Sequence, residues 1–226
     1  MTLVLLPGML GSADGWADVV FRLGSDTAIH VGRIDQHDTI AGLAAGVLAG
    51  SPSEFALAGH SLGGIVALEM VRQQPSRIRR LALLNSSARP PTDAQRAAWR
   101  GWDARIAAGE FDAVARELAV ATLPASRADL VERNARMASA VGAVGFRRQL
   151  AAQQSRTDAR PRLAAITVPT VVIRGDLDQV SPAPMQHELA HGIPDATLHV
   201  LPEVGHMSPL EAPDAVVALL REWLDR

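Results

Sequence analysis

The 226-residue sequence contains no cysteine. Disulfides, thiolate nucleophiles and Cys-ligated zinc are thereby excluded, and the absence fits a reducing compartment. Lysine is absent too: all 22 basic residues are arginine. That removes Schiff-base and Ser–Lys chemistry. Neither sign of charge dominates. The formal net charge is −2, so nothing electrostatic points to nucleic acid or to an anionic membrane surface. Long hydrophobic runs are also missing. The apolar N-terminal stretch Thr2–Leu6 has no basic leader and is too short for a signal-peptide core. No stretch approaches the roughly 18 apolar residues of a membrane span. The expectation is a soluble, cytoplasmic protein of one domain, long enough to bury a sizeable core.

What is present is an alternation. Thr2–Leu6 is a continuous apolar run ending at Pro7-Gly8, as in a strand buried on both faces. Further strands are expected at Ala28–Ile34, Glu54–Ala58 and Ile78–Leu84. Helices are expected at Trp16–Leu23, Ile40–Leu48 and Leu62–Gln74, the last stopped before Pro75. Such alternation argues for a right-handed βαβ sheet. It then stops. From Thr92 to about Arg160 only helical periodicity appears, over Ala97–Ala108, Phe111–Leu123, Arg127–Val141 and Phe146–Gln154. The βα pattern resumes with strands Thr170–Arg174 and Thr197–Leu201 and helices Pro182–His191 and Pro213–Leu224. The reading is an α/β core of residues 1–90 and 161–226, interrupted by a helical insertion at 91–160.

The strongest local signal is Gly59-His60-Ser61-Leu62-Gly63-Gly64, a G-x-S-x-G motif between a strand and a helix. In that context the glycines admit close backbone packing. The serine is held strained, with Oγ lifted clear of the sheet. A serine hydroxyl needs a base, and the base needs an orienter. For a nucleophile on such a turn the chain order is Ser, acid, His. His206, in Gly205-His206-Met207, follows the last expected strand and is the candidate base. His187 and His191, one helical turn apart, form a weaker metal-binding alternative to a solvated helix face. For the acid, Asp178 lies past the turn glycine Gly175 and before Pro182; Asp176 is its rival, with turn capping as its plain role. Asp35 and Asp38 precede the serine and are out of order. The oxyanion donors are expected to be the backbone N–H of Leu62 and that of Met9, in the loop after the first strand.

Together these pieces resemble the α/β-hydrolase superfamily in its single-cap form. The matching residues are Leu6-Pro7-Gly8-Met9-Leu10-Gly11-Ser12 with Trp16, then the Ser61 motif. They continue with Val168-Pro169-Thr170 running to Gly175, Asp178 and Pro182, and end with Gly205-His206 and Glu211-Ala212-Pro213. They span nearly the whole chain. The resemblance implies a mostly parallel sheet of about six strands, without the family's first two, and a helical cap. It also implies a mechanism: Ser61 attacks a carbonyl, His206 shuttles the proton, Asp178 orients His206, and water hydrolyses the acyl-enzyme. No cofactor and no metal are required. The first loop carries Pro7-Gly8 where many relatives carry His-Gly, a change of packing more than of chemistry.

Relatives build their acyl pocket from the cap. By that likeness Trp99, Trp102, Phe111, Met137 and Phe146 are candidate pocket residues, with ordinary helix packing as the alternative. Arg147, Arg148, Gln149, Arg156 and Arg160 form a basic stretch, either a carboxylate-binding patch or a solvated face paired with acids such as Asp158. The function expected is hydrolysis of a small to medium carboxylic ester, with no nucleic-acid or membrane partner; the oligomeric state is open. Lactonase, thioesterase, C–C hydrolase, lyase and cofactor-free haloperoxidase chemistry remain alternatives on the same fold. So does a non-catalytic small-molecule receptor.

Overall fold

The computed structural model describes residues 1–25 and 27–225; Arg226, the last position of the expected core, lies outside the described residues. The elements run β1 (Thr2–Leu6), α1 (Ala17–Leu23), β2 (Ile29–Val31), α2 (Ile40–Gly50), β3 (Phe55–His60), α3 (Leu62–Gln73) and β4 (Ile78–Leu84). Three helices follow, α4 (Asp93–Ala107), α5 (Phe111–Ala121) and α6 (Val131–Gln154). The chain closes with β5 (Thr170–Gly175), α7 (Ala183–Gly192), β6 (Ala196–Leu201), the single turn α8 (Ser208–Glu211) and α9 (Pro213–Asp225).

The strands form one six-stranded sheet in the order β2-β1-β3-β4-β5-β6, with every neighbouring pair parallel. Alternate side chains enter two cores. Val4, Leu6, Phe55, Leu57, Leu81 and Leu83 pack with Leu43 and Val47 of α2, Val66 of α3 and Leu189 of α7. Leu3, Leu5, Ala56, Ala58, Ala82 and Leu84 pack on the other face with Val19 of α1 and Val217, Leu220 and Trp223 of α9. This explains the uninterrupted apolar runs of the central strands: each has a helix layer on both sides.

Several boundaries differ from expectation. β2 is three residues long because the chain leaves the sheet after Gly32. There the Ile34 carbonyl accepts a hydrogen bond from Gln149 Nε2 on α6 (3.2 Å), a long-range contact invisible to local pattern. β3 extends to His60, since Gly59 and His60 still pair with Leu83 and Leu84. α4 begins earlier than its apolar residues suggest, because Thr92 and Gln95 form a reciprocal capping box. Of the two helices expected within 127–154, residues 127–130 fall in a separate short turn (Ala125–Leu130), and the rest are adjoining parts of α6, broken at Gly142, whose φ of 67° and ψ of 171° are non-helical.

α4 to α6 bring their own apolar cluster, Trp99, Ile106, Val114, Phe146 and Leu150, joined by Leu10 from the loop after β1. That contact ties these helices to the end of the sheet where Ser61 lies.

Candidate active site

Ser61 stands between β3 and α3 with φ 52° and ψ −117°, a strained conformation for a residue with a side chain. The turn is possible because its glycines meet backbone. A Cβ on Gly63 would lie 2.5 Å from the carbonyl oxygens of Leu6 and Pro7, and one on Gly59 would collide with the Gly63 peptide. The Ser61 N–H donates to the Leu84 carbonyl (2.8 Å), continuing the ladder with β4.

The structure brings Ser61, His206 and Asp178 into one chain. Ser61 Oγ is 2.9 Å from His206 Nε2, and His206 Nδ1 is 3.0 Å from both carboxylate oxygens of Asp178. With the proton on Nδ1, the ring donates to Asp178 and accepts from the Ser61 hydroxyl. His206 and Asp178 are both buried. Burial alone would raise the Asp178 carboxyl. The hydrogen bond and charge of His206, the Ser181 N–H and Asn85 outweigh it and hold the group below its ordinary value. Asp176 sits apart, exposed, accepting the Val204 N–H (3.3 Å) as a turn cap.

Asn85, Glu211 and His60 support this chain. Asn85, at the end of β4, donates from Nδ2 to Asp178 Oδ2 (2.8 Å) and accepts from Ser208 Oγ (2.5 Å). Its φ of 49° is a conformation that asparagine tolerates. Glu211 accepts the N–H groups of Gly205 and Met207, 2.7 Å each, and so brackets His206. Burial holds the Glu211 carboxyl above its ordinary value against those two bonds. His60 Nε2 is 2.8 Å from the His206 carbonyl oxygen, and burial, followed by the His206 charge, pushes His60 down to about 3, so its ring is neutral. The only sequence signal for Asn85 is a polar Asn-Ser-Ser run directly after an apolar strand.

Among the described residues neither Met9 N–H nor Leu62 N–H has a hydrogen-bond acceptor in the protein. The neighbouring Leu10 N–H does: it donates to Gln149 Oε1 (2.9 Å), which anchors the loop. Gln149 is therefore a buried strut and not part of a basic face.

A cavity of about 300 Å³ opens on Ser61 and His206, bordered by Met9, Trp99, Trp102, Gln153 and Arg156 among others. Met137 and Phe146 are placed elsewhere. Met137 packs against Met207 and Leu210. Phe146 lies in the inserted helices' own core, its ring 6.4 Å from that of Phe111. Helical periodicity identifies a buried face but not the neighbour it meets. Arg147 pairs with Asp103 and Arg160 with Asp158, the solvated-face arrangement. His187 and His191 stack at 5.8 Å, and no His/Asp/Glu group of three suited to a metal occurs among the described residues. None of the described helices is long and apolar enough to cross a membrane.

Similar proteins share this architecture. A protein of Variovorax paradoxus named as a candidate carbamate hydrolase is 33% identical over 161 residues, 66% of this chain and 58% of its own length, so the match leaves over a third of that relative unmatched. A pimeloyl-[acyl-carrier protein] methyl ester esterase of Edwardsiella ictaluri is 28% identical, covering 99% of this chain and 93% of that protein. The solved structure of a thermophilic esterase from Thermogutta terrifontis superposes with a TM-score of 0.90 at 24% identity, covering 100% of this chain and 89% of that one. Residues 3–219 match the model of the alpha/beta hydrolase family, and the chain, an enzyme, belongs to it.

Proposed function

We propose that this enzyme hydrolyses a small to medium carboxylic ester through an acyl-enzyme on Ser61. The observation that carries the reading is the run of short contacts from Ser61 Oγ through His206 to Asp178, 2.9 and 3.0 Å. His206 takes the Ser61 proton as Oγ attacks the ester carbonyl. Asp178 keeps the imidazole in the required tautomer and stabilises the imidazolium that forms. The N–H groups of Met9 and Leu62 receive the developing oxyanion. His206 then protonates the departing alcohol, and a water activated by the same imidazole cleaves the acyl-enzyme. In this reading residues 91–160 are a cap over a core of 1–90 and 161–226. The presence of Trp99 and Trp102 in the cavity wall supports it. Relatives named as methyl ester esterases support an ester as substrate.

The test is labelling by a fluorophosphonate together with turnover of p-nitrophenyl acetate. Wild type is expected to do both, and Ser61→Ala to lose turnover by about 10⁴-fold or more. Wild-type protein that neither labels nor turns over a broad ester panel would overturn the assignment.

A further inference from the structure

Arg156, just past α6, borders the Ser61 cavity and is 9% exposed. Several arginines of α4 to α6 carry carboxylates: Arg105 holds Glu110 and Glu117, Arg147 holds Asp103. Arg156 has none among the described residues. Its partners are neutral. Nη1 donates to Gln153 Oε1 (3.0 Å) and Nη2 to Gln95 Oε1 (3.2 Å), and the guanidinium lies 5.6 Å from the centre of the Trp99 ring. The buried Nε–H has no acceptor. A guanidinium offers five N–H donors, so most of its capacity is unused. The charge that acts on it is another cation, Arg96. Burial first, then Arg96, lowers its pKa to about 10, which leaves it protonated at neutral pH.

Removing a guanidinium from water without a counter-charge is unfavourable. Two glutamines and a tryptophan face hold this one in the wall of the cavity that opens on the proposed nucleophile. We propose that Arg156 receives a carboxylate on the substrate itself, so that the preferred substrate is an ester whose acyl or alcohol part bears a carboxylate. This rests on the Ser61 reading for the reaction but not for the binding. A single cation in an otherwise apolar and neutral wall suits a monoanion, and the planar fork of arginine matches a carboxylate bidentately. Arg156 also borders a neighbouring cavity, whose wall carries Arg72, Arg89 and Arg162 besides Glu69; there Arg72 is paired with Glu69 and Arg89 with Glu188.

Matched substrates test this. Monomethyl glutarate against methyl pentanoate places the carboxylate in the acyl part; 3-acetoxypropanoate against propyl acetate places it in the alcohol part. Wild type is expected to favour the anionic member of one pair by about tenfold or more in kcat/KM, and Arg156→Gln to erase most of that ratio, with Arg156→Lys between them. A role confined to bracing α4 against α6 would lower the melting temperature of Arg156→Gln and leave the ratio alone; that result overturns the proposal. So does a wild type that treats both pairs alike, a measurement that needs no variant to fold. If no ester is turned over, the Ser61 reading falls, and titration with glutarate decides about Arg156. Wild-type binding lost in Arg156→Gln sustains it, and no wild-type binding defeats it.

Discussion

Asp178 and Asp176 lie two positions apart in one turn, yet their surroundings differ completely. Asp178 is buried and shared by His206, Asn85 and two backbone N–H groups; Asp176 faces solvent. Asp178→Asn is therefore expected to lower kcat by about 10⁴ through the wrong imidazole tautomer, while Asp176→Asn stays close to wild type. Equal esterase rates for wild type and Asp178→Asn would reverse the assignment. Asn85→Ala removes a donor from a buried carboxylate oxygen, a loss of about 1–3 kcal/mol. Most of it should appear as a fall in kcat of order tenfold with KM little changed, measurable by steady-state kinetics. Ser61, Asp178 and His206 can be singled out in the sequence because each follows a strand and lies in a recognisable turn. Asn85 was not, because its role depends on β4 lying beside β5 and on where Ser208 returns.

Among the elements, α6 shows how a local rule and a tertiary constraint meet. Gly142 interrupts the helix with φ 67° and ψ 171°, a region essentially restricted to glycine. A Cβ there meets nothing within 4 Å, so the cost of replacement is backbone strain alone. Gly142→Ala should lose about 1–3 kcal/mol of stability, seen as a lower denaturation midpoint. It should also change kcat/KM, since the half of α6 beyond the break carries Gln149, Gln153 and the approach to Arg156. An unchanged midpoint would mean that the break relaxes into continuous helix. Periodicity found these helices; their docking onto Leu10 and the sheet edge was beyond it, because an apolar stripe does not name its partner.

At the scale of the molecule, several buried or half-buried carboxyls couple folding to pH. Burial would raise Asp35, but Arg33 and Gln36 overcome it and hold the group below 3.8. Arg72 holds Glu69 below 4.5, and His206 and its neighbours hold Asp178 below 3.8. A carboxyl depressed on folding stabilises fully above its unfolded pKa, and that stability is lost as pH falls through the folded value. Glu211 has the opposite sign. It is raised above 4.5, so its contribution is present below that value and lost as pH rises through the folded one. Asp18, Asp158 and Glu188 are likewise held low by arginines, so depressed carboxyls outnumber the raised Glu211 and predict lower stability at about pH 3 than at about pH 6. Urea unfolding at the two pH values checks this; equal midpoints would contradict it.

The alternation that makes a parallel sheet, the turn that carries Ser61, and the succession of Asp178 and His206 after it can be read from short stretches of chain. These are local: a strand buried on both faces, a glycine-bounded turn and a proline-led helix each declare themselves within a few residues. Which side chains share the cavity is set by long-range packing. That packing sets Met137 and Phe146 into separate clusters, makes Gln149 a strut for the first loop, and leaves Arg156 without a carboxylate partner in the wall of the Ser61 cavity. Those outcomes depend on contacts such as Leu10 with Gln149, 139 positions apart, and on the angle at which α4 to α6 meet the sheet, neither of which is written in any short stretch of chain.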